Sequence, residues 1–326
     1  MNKQNGLFSR QLPYILLFLL GMVTLLGYEL ERLQSEALLV AQQRTQDLAA
    51  GLEVHTRESM EQIDRVLQQV QSEFHSRPAA PGAVRVNDHL ARLLAAIPQS
   101  QGLWVTDFRG NVTDSAIALR SGINIGDRNY FQRQKKGLDS GLLVSEPVFS
   151  RGSQNWVVTL SRRLVDREGH FSGLVVAAIS ADSLQAHFST LEVGKGGLVA
   201  LYDDQLRLVA RVPPLPGQLG RRGVNPAISD PIRRAERGSF AAVSHQDGVD
   251  RIFGFHRLEK LPLVVLVGLS RDEVLSAWHQ KLAHSAMAVL ALVLPGLILV
   301  YIYLTPQLKR WRQWHNRSVP QLVQLP

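Results

Sequence analysis

Residues 155–180 read NWVVTLSRRLVDREGHFSGLVVAAIS, two runs crowded with Val, Leu and Ile on either side of the polar, glycine-bearing turn DREG. Apolar and β-branched residues suit a pleated, half-buried surface, and a short polar turn between two such runs reverses the chain. The stretch is therefore expected to be an antiparallel hairpin. Similar runs surround it. LLVSEPVFS (142–150) leads into it through the turn RGSQ, while GLWVTDF (102–108) and NVTDSA (111–116) flank the turn RGN. A helix-like ADSLQAHFSTL (181–191) closes this unit. A short amphipathic segment, DHLARLLAAIP (88–98), opens it, with Asp88 placed as a cap and Leu90, Leu93 and Leu94 on one side.

A second, smaller unit repeats the pattern. GLVALYDDQLRLVARVP (197–213) reads as a hairpin about Asp203 and Asp204, ISDPIRRAERG (228–238) as a short helix, and 239–270 as a meander of strands. RDEVLSAWHQKL (271–282) then forms a helix.

Both units are framed by apolar helices. Leu12–Tyr28 is uncharged for 17 residues and Leu282–Leu304 for 23. A bilayer core takes about 20 residues of helix, with roughly 17 as the lower end, so both are expected to span a membrane. Arg10 on one side and Lys309, Arg310 and Arg312 on the other place both chain ends in the cytoplasm by the positive-inside rule. Between the first span and the sheets, Glu29–Phe74 has no Pro and only Gly51, and is rich in helix formers. Met60, Ile63, Leu67, Val70 and Phe74 make an apolar stripe along it, available to a domain, a twin helix, or both. At 1.5 Å per residue this stalk reaches roughly 69 Å.

The net charge of +8 suggests nucleic acid until it is located. Residues 1–11 and 305–326 hold six of the positive charges, leaving +2 for everything between. No basic stripe for a phosphate backbone is present, and no nucleic-acid partner is expected. The chain has no cysteine, which removes thiol nucleophiles, disulfide frameworks and the common cysteine-containing zinc sites. GKGG (194–197) lacks the spacing of a phosphate loop. SHQDG (244–248) crowds Ser, His and Asp into one turn, whereas a triad converges from a scaffold. His279 and His284 have no metal-binding spacing. No catalytic residue, metal or cofactor is expected, and the chain is not expected to be an enzyme.

The order of LWVTDFRGNVTDSA, GDRNYFQ, SEPVF, WVVTLSRRL and GLVVAAIS resembles the double Cache sensor domains of bacterial transmembrane receptors of the diguanylate cyclase and histidine kinase type. The resemblance covers about residues 29–281 and implies an α+β fold: a long N-terminal helix with two consecutive PAS-like antiparallel-sheet units, flanked by two transmembrane helices. The expected order along the chain is a cytoplasmic N-terminus (1–11), a first span (12–28), a stalk helix (29–75) and a membrane-distal, ligand-binding Cache unit (76–191). A membrane-proximal unit (192–270), a linker helix (271–281), a second span (282–304) and a short cytoplasmic tail (305–326) follow.

In similar domains the distal pocket is built on the DRxYF helix and loop, matched here by Asp127, Arg128, Tyr130 and Phe131, and on the strand that starts with Trp156. Trp104, in its own strand, is either core or ligand-facing. By period two, Trp156, Val158, Leu160 and Arg162 share one strand face, so Arg162 is a candidate if Trp156 is. Asp127 is also placed to cap the helix, and Arg133, Lys135 and Lys136 suit a solvated face. Amino-acid-binding members place an acid late in the next strand to hold the ligand amine, and here that position is Ala178. An α-ammonium without a buried carboxylate or aromatic cage is poorly compensated. A carboxylate ligand gripped by the planar fork of Arg128 is favoured instead.

The function expected is that of a two-pass inner-membrane receptor with residues 29–281 in the periplasm. It would bind a small solute in the distal unit and pass the signal inward as a homodimer. The alternative is an envelope assembly or interaction protein that uses the fold as a docking surface. Only 22 residues follow the second span, too few for a kinase, cyclase or chemotaxis output domain, so a longer receptor or a separate signalling protein is expected.

Overall fold

The computed structural model describes residues 4–76, 83–118, 122–137 and 141–318 and divides into two compact units, Met1–Leu38 with Leu275–Pro326, and Leu39–Val274. Helix α1 (Gln4–Ser76) belongs to both units, and beyond Pro13 its length follows from a sequence with no further proline until SRPAAPG. Then come α2 (Ala83–Ala95), β1 (Gly102–Thr106), β2 (Val112–Ser115), α3 (Asn129–Lys135), β3 (Leu143–Val144), β4 (Val148–Phe149), β5 (Trp156–Val165), β6 (Phe171–Ser180) and α4 (Ala181–Phe188). The second set is β7 (Leu198–Asp203), β8 (Leu208–Val212), α5 (Pro226–Arg234), β9 (Arg237–Val243), β10 (Asp250–Arg257), β11 (Leu263–Ser270), α6 (Arg271–Val274) and α7 (Ser276–Ser318). Asp88 is interior to α2, which begins five residues earlier than the expected cap.

In the unit formed by the chain ends, the Trp278 indole donates to the Leu30 carbonyl at 2.8 Å. Both expected spans, 12–28 and 282–304, are helical throughout, and each includes side chains outside the described residues. Among the described residues, no helix is long and apolar enough to cross a membrane.

The larger unit holds two antiparallel sheets, ordered β2-β1-β6-β5-β3 with β4 also on β5, and β8-β7-β11-β10-β9. The expected hairpin of residues 155–180 is the β5–β6 pair, running in register from Val157↔Ser180 to Arg163↔Leu174. Its central position explains its composition: β6 is buried from Gly173 to Ser180 because strands pair with it on both sides.

The α1 stripe packs on this unit. Met60, Ile63, Leu67 and Val70 are buried, each such side chain contributing about 1.5–3 kcal/mol. Polar contacts fix the helix beside them. Gln71 Nε2 donates to the Arg163 carbonyl at 2.6 Å, and Gln46 Nε2 to Ser239 Oγ of β9 at 2.9 Å. A Cβ on Gly254 would meet the Thr45 backbone at 2.3 Å, so α1 also lies directly against β10.

Candidate ligand-binding site

Pairing of β1, β6 and β5 sets Gly102 abreast of Ala178, and Ala178 abreast of Thr159. Residues opposite one another in a sheet point to the same side, and small ones leave room above it. A cavity of about 40 Å³ lies over them, room for about three or four waters. Its apolar wall includes Val112, Ile117, Ile123, Ile125, Val148 and Val157, and its polar wall Gln101, Arg128, Ser150, Arg151 and Ser153. Among the described residues, no carboxylate lines it.

Helix α3 brings Tyr130 and Phe131 inward, where Phe131 meets Phe171 edge-on at 5.6 Å. Tyr130 lines the cavity with its phenol pushed up to about 12, chiefly by burial, against the opposing pull of the Arg128 and Arg151 charges. Just before the helix, Arg128 Nη2 donates to the Phe149 carbonyl at 2.8 Å, which leaves further donors on the same fork. Arg151 is held by Asp127, each terminal nitrogen 2.7 Å from a different carboxylate oxygen, and also donates to the Asn124 carbonyl. The Trp104 indole nitrogen is buried with no partner, and the Thr159 hydroxyl makes no hydrogen bond of good geometry. Both residues line the cavity. Buried polar groups are ordinarily paired, and the Thr159 hydroxyl lies beside the Tyr130 phenol, whose pKa it helps to lower.

Arg128, Tyr130 and Trp104 are thus brought together. Trp156 and Arg162 are not. The cavity takes Val157 and Thr159 from β5, the opposite parity. Trp156 meets Phe149 edge-on at 6.0 Å and faces Gly220, where a Cβ would come within 2.4 Å of its ring. Arg162 pairs with Asp64 of α1 at 2.5 and 2.8 Å. The face assigned to ligand is instead the one against α1 and the second sheet. Asp127 does not cap α3: the cap position is Arg128, with no side-chain cap, and the Asp127 carboxylate serves Arg151. Arg133, Lys135 and Lys136 are exposed, as a solvated face requires.

Arg151, Gln101, Ser150, Ser153 and Thr159 were missed. RGSQ reads as a simple turn, and only the knowledge that it folds back beside Asp127 gives Arg151 a role. Elsewhere, SHQDG forms the β9–β10 turn with Asp247 bound to Arg211 and Arg251, an arrangement that leaves no triad. Asp166, Glu168 and His170 converge in the β5–β6 turn, where the Asp166 carboxylate accepts the backbone N–H of the other two.

The chain matches the Cache domain family over residues 30–278. No curated protein matches it. Among solved structures, the extracellular domain of the histidine kinase rpHK1S-Z16 is 29% identical with a TM-score of 0.66, covering 72% of this chain and 97% of that one. The sensory domain of the Campylobacter jejuni chemoreceptor Tlp3, solved with isoleucine bound, is 11% identical with a TM-score of 0.53, over 74% of this chain and 97% of its own. The ligand-binding domain of Mlp24 with asparagine is 10% identical with a TM-score of 0.55, over 76% and 98%. The first of these structures is described as an extracellular domain of a histidine kinase, and the other two as sensory or ligand-binding domains solved with an amino acid. With two sheets of one design behind a single long helix and a match that spans most of its length, this chain belongs to the Cache domain family.

Proposed function

We propose that this protein is a membrane-anchored, non-catalytic receptor that binds a small carboxylate in the first-sheet cavity. One observation carries the ligand class: among the described residues the lining contains two arginines and no acid, and Ala178 stands where amino-acid-binding relatives are expected to hold the ligand amine. A carboxylate would receive charge-assisted bonds from Arg128 and Arg151, each worth about 1.5–3 kcal/mol, while the apolar wall takes a short aliphatic tail. The Trp104 indole and Thr159 hydroxyl would meet its remaining polar atoms.

Residues 12–28 and 282–304 would be the anchors, supported by their uncharged length and helical backbone, with 29–281 in the periplasm and two copies paired as a homodimer. Ligand shifts a receptor only by its differential affinity for two arrangements. The elements suited to carry the change are α1 and the α6–α7 connection, which join the sheets to the apolar helices.

The test is the thermal stability of the full chain in detergent across a panel of small acids, amines and amino acids. A rise in Tm with one or more acids, abolished in Arg128→Ala, is expected. Indifference to every solute, with a protein instead co-purifying in stoichiometric amount, would favour the docking-surface reading.

A further inference from the structure

The two sheets carry corresponding strands in the same order, and the correspondence holds residue by residue. Asp107 accepts the backbone N–H of Arg109 and Asn111 after β1, and Asp203 accepts those of Gln205 and Arg207 after β7. The β1–β2 pair shifts register at Val105/Thr106 and the β7–β8 pair at Leu201/Tyr202. Where Gly102, Ala178 and Thr159 stand abreast under the first cavity, the second sheet has Leu198, Gly268 and Phe253. Much of this second face is filled: Leu198, Phe253 and Phe255 are core, with Phe240 packed against them.

At one end of that face the filling stops and charge begins. Arg211 stands opposite Ala200, and Arg251 opposite Ser270. Each arginine is only 2% exposed. Arg251 is fully engaged, Nε donating to the Gly196 carbonyl at 2.7 Å and its two terminal nitrogens to Asp247 at 2.8 and 2.9 Å. Arg211 reaches the same carboxylate through Nη2 at 2.6 Å, and its Nε is buried with no partner. One carboxylate therefore answers two guanidiniums. An arginine does not release its proton to escape burial, so in the hydrogen bonds of the described residues two positive charges share one carboxylate where solvation is poor.

We propose that Arg211, backed by Arg251, is an anion site of the second sheet, separate from the first-sheet cavity. The surplus is a single charge and both guanidiniums are almost wholly buried, so the ligand is a small monoanion of halide or short-carboxylate type. Asp247 meets Arg211 through one oxygen only, Oδ2, which it shares with Arg251, and leaves the Arg211 Nε without a partner.

The experiment follows Tm of the full chain in detergent at constant ionic strength while sodium gluconate is exchanged for chloride, formate or acetate. A saturable rise with at least one of the three is expected. It persists in Arg128→Ala, which disables the first cavity, and is absent in Arg211→Met. Arg211→Lys keeps the charge but has no Nε, and is expected to raise the half-saturating concentration at least about tenfold. No response in any of the three salts, a response that survives Arg211→Met, or one that vanishes with Arg128→Ala, overturns the proposal. Should Arg211→Met fail to fold, the lysine variant decides, and an unchanged half-saturation overturns it.

Discussion

Asp127 grips Arg151 through both carboxylate oxygens, at 2.7 Å each, at the rim of the first-sheet cavity. The hydrogen bond from Arg151 is the main reason the Asp127 carboxyl lies below the usual carboxylate range. Both side chains are largely exposed, so the pair contributes less than about 1 kcal/mol to folding. Its effect falls on the cavity, where Asp127 cancels a charge that would otherwise attract an acid. Asp127→Asn is expected to leave Tm nearly unchanged and to tighten binding of the stabilising acid several-fold, while Arg151→Ala weakens it. Isothermal titration measures both. If Asp127→Asn weakens binding as much as Arg151→Ala does, the carboxylate acts as scaffold and the electrostatic account fails.

Ala178 offers the reciprocal change. It is 1% exposed and lies between Gly102 and Thr159 on the cavity floor. A carboxylate placed there is costly unless a ligand ammonium meets it. Ala178→Asp is expected to lower Tm without ligand, abolish the response to small acids, and create one to α-amino acids. The same panel reads all three effects, and an acid response undiminished by the new carboxylate would rule out Ala178 as part of the site.

The sheets were legible because their cause is local. β5 and β6 show it in their run of Val, Ile, Leu and Ala, and the turn at Asp166 in its glycine. The stalk was legible for the same reason, an unbroken run of helix formers. The site was legible only in part. Arg128 and Tyr130 travel with a recognisable motif, but which face of β5 meets the cavity depends on which neighbour covers the other face. Trp156 and Arg162 look like pocket residues, and α1 and Gly220 claim them instead. Arg151 and Arg211 depend on partners 24 and 36 residues away, Asp127 and Asp247, and nothing in the local pattern announces either pairing.

Arg162 and Asp64 join β5 to α1 through two bonds of 2.5 and 2.8 Å, with 16% of each side chain exposed. This pair is too sheltered to be a negligible surface bridge, and removing one partner strands the other charge. Arg162→Ala or Asp64→Ala is expected to cost about 1–3 kcal/mol, seen as a lower urea midpoint at unchanged slope. The double variant Asp64→Ala/Arg162→Ala should cost less than the two single changes together. Strict additivity would show that the two side chains are not coupled.

Asp247 links acidity to the second sheet. Burial by itself would raise its pKa, but hydrogen bonds from Arg251 and Ser244 and the Arg251 charge outweigh that and hold it far below the usual range. A carboxyl depressed in the folded state contributes stability that is complete above its unfolded value of about 3.9 and is lost as pH falls below it. Asp247→Asn is expected to be less stable at neutral pH and to lose less between about pH 5 and pH 3. Urea midpoints across that range test the sign, and parallel curves for the two proteins would remove Asp247 from the acid response.

His187 of α4 stacks on His55 of α1, ring centroids 4.1 Å apart and planes 22° from parallel. Burial, then the nearby His55 charge, lowers the His187 pKa. The folded state therefore takes up this proton less readily than the unfolded chain, whose histidines titrate near about 6.5. The associated stability is fully present above that value and declines as pH falls through it toward the folded pKa. Two protonated rings in this stack would also repel across the contact between the stalk helix and α4. His187→Phe keeps an aromatic ring against His55 and removes the titration. It is expected to lose less Tm than the parent chain between about pH 7.5 and about pH 5.5, with little difference at the upper end. Scanning calorimetry at both values measures this, and a fall equal to the parent's would mean that the stacked pair has no part in the response to acid.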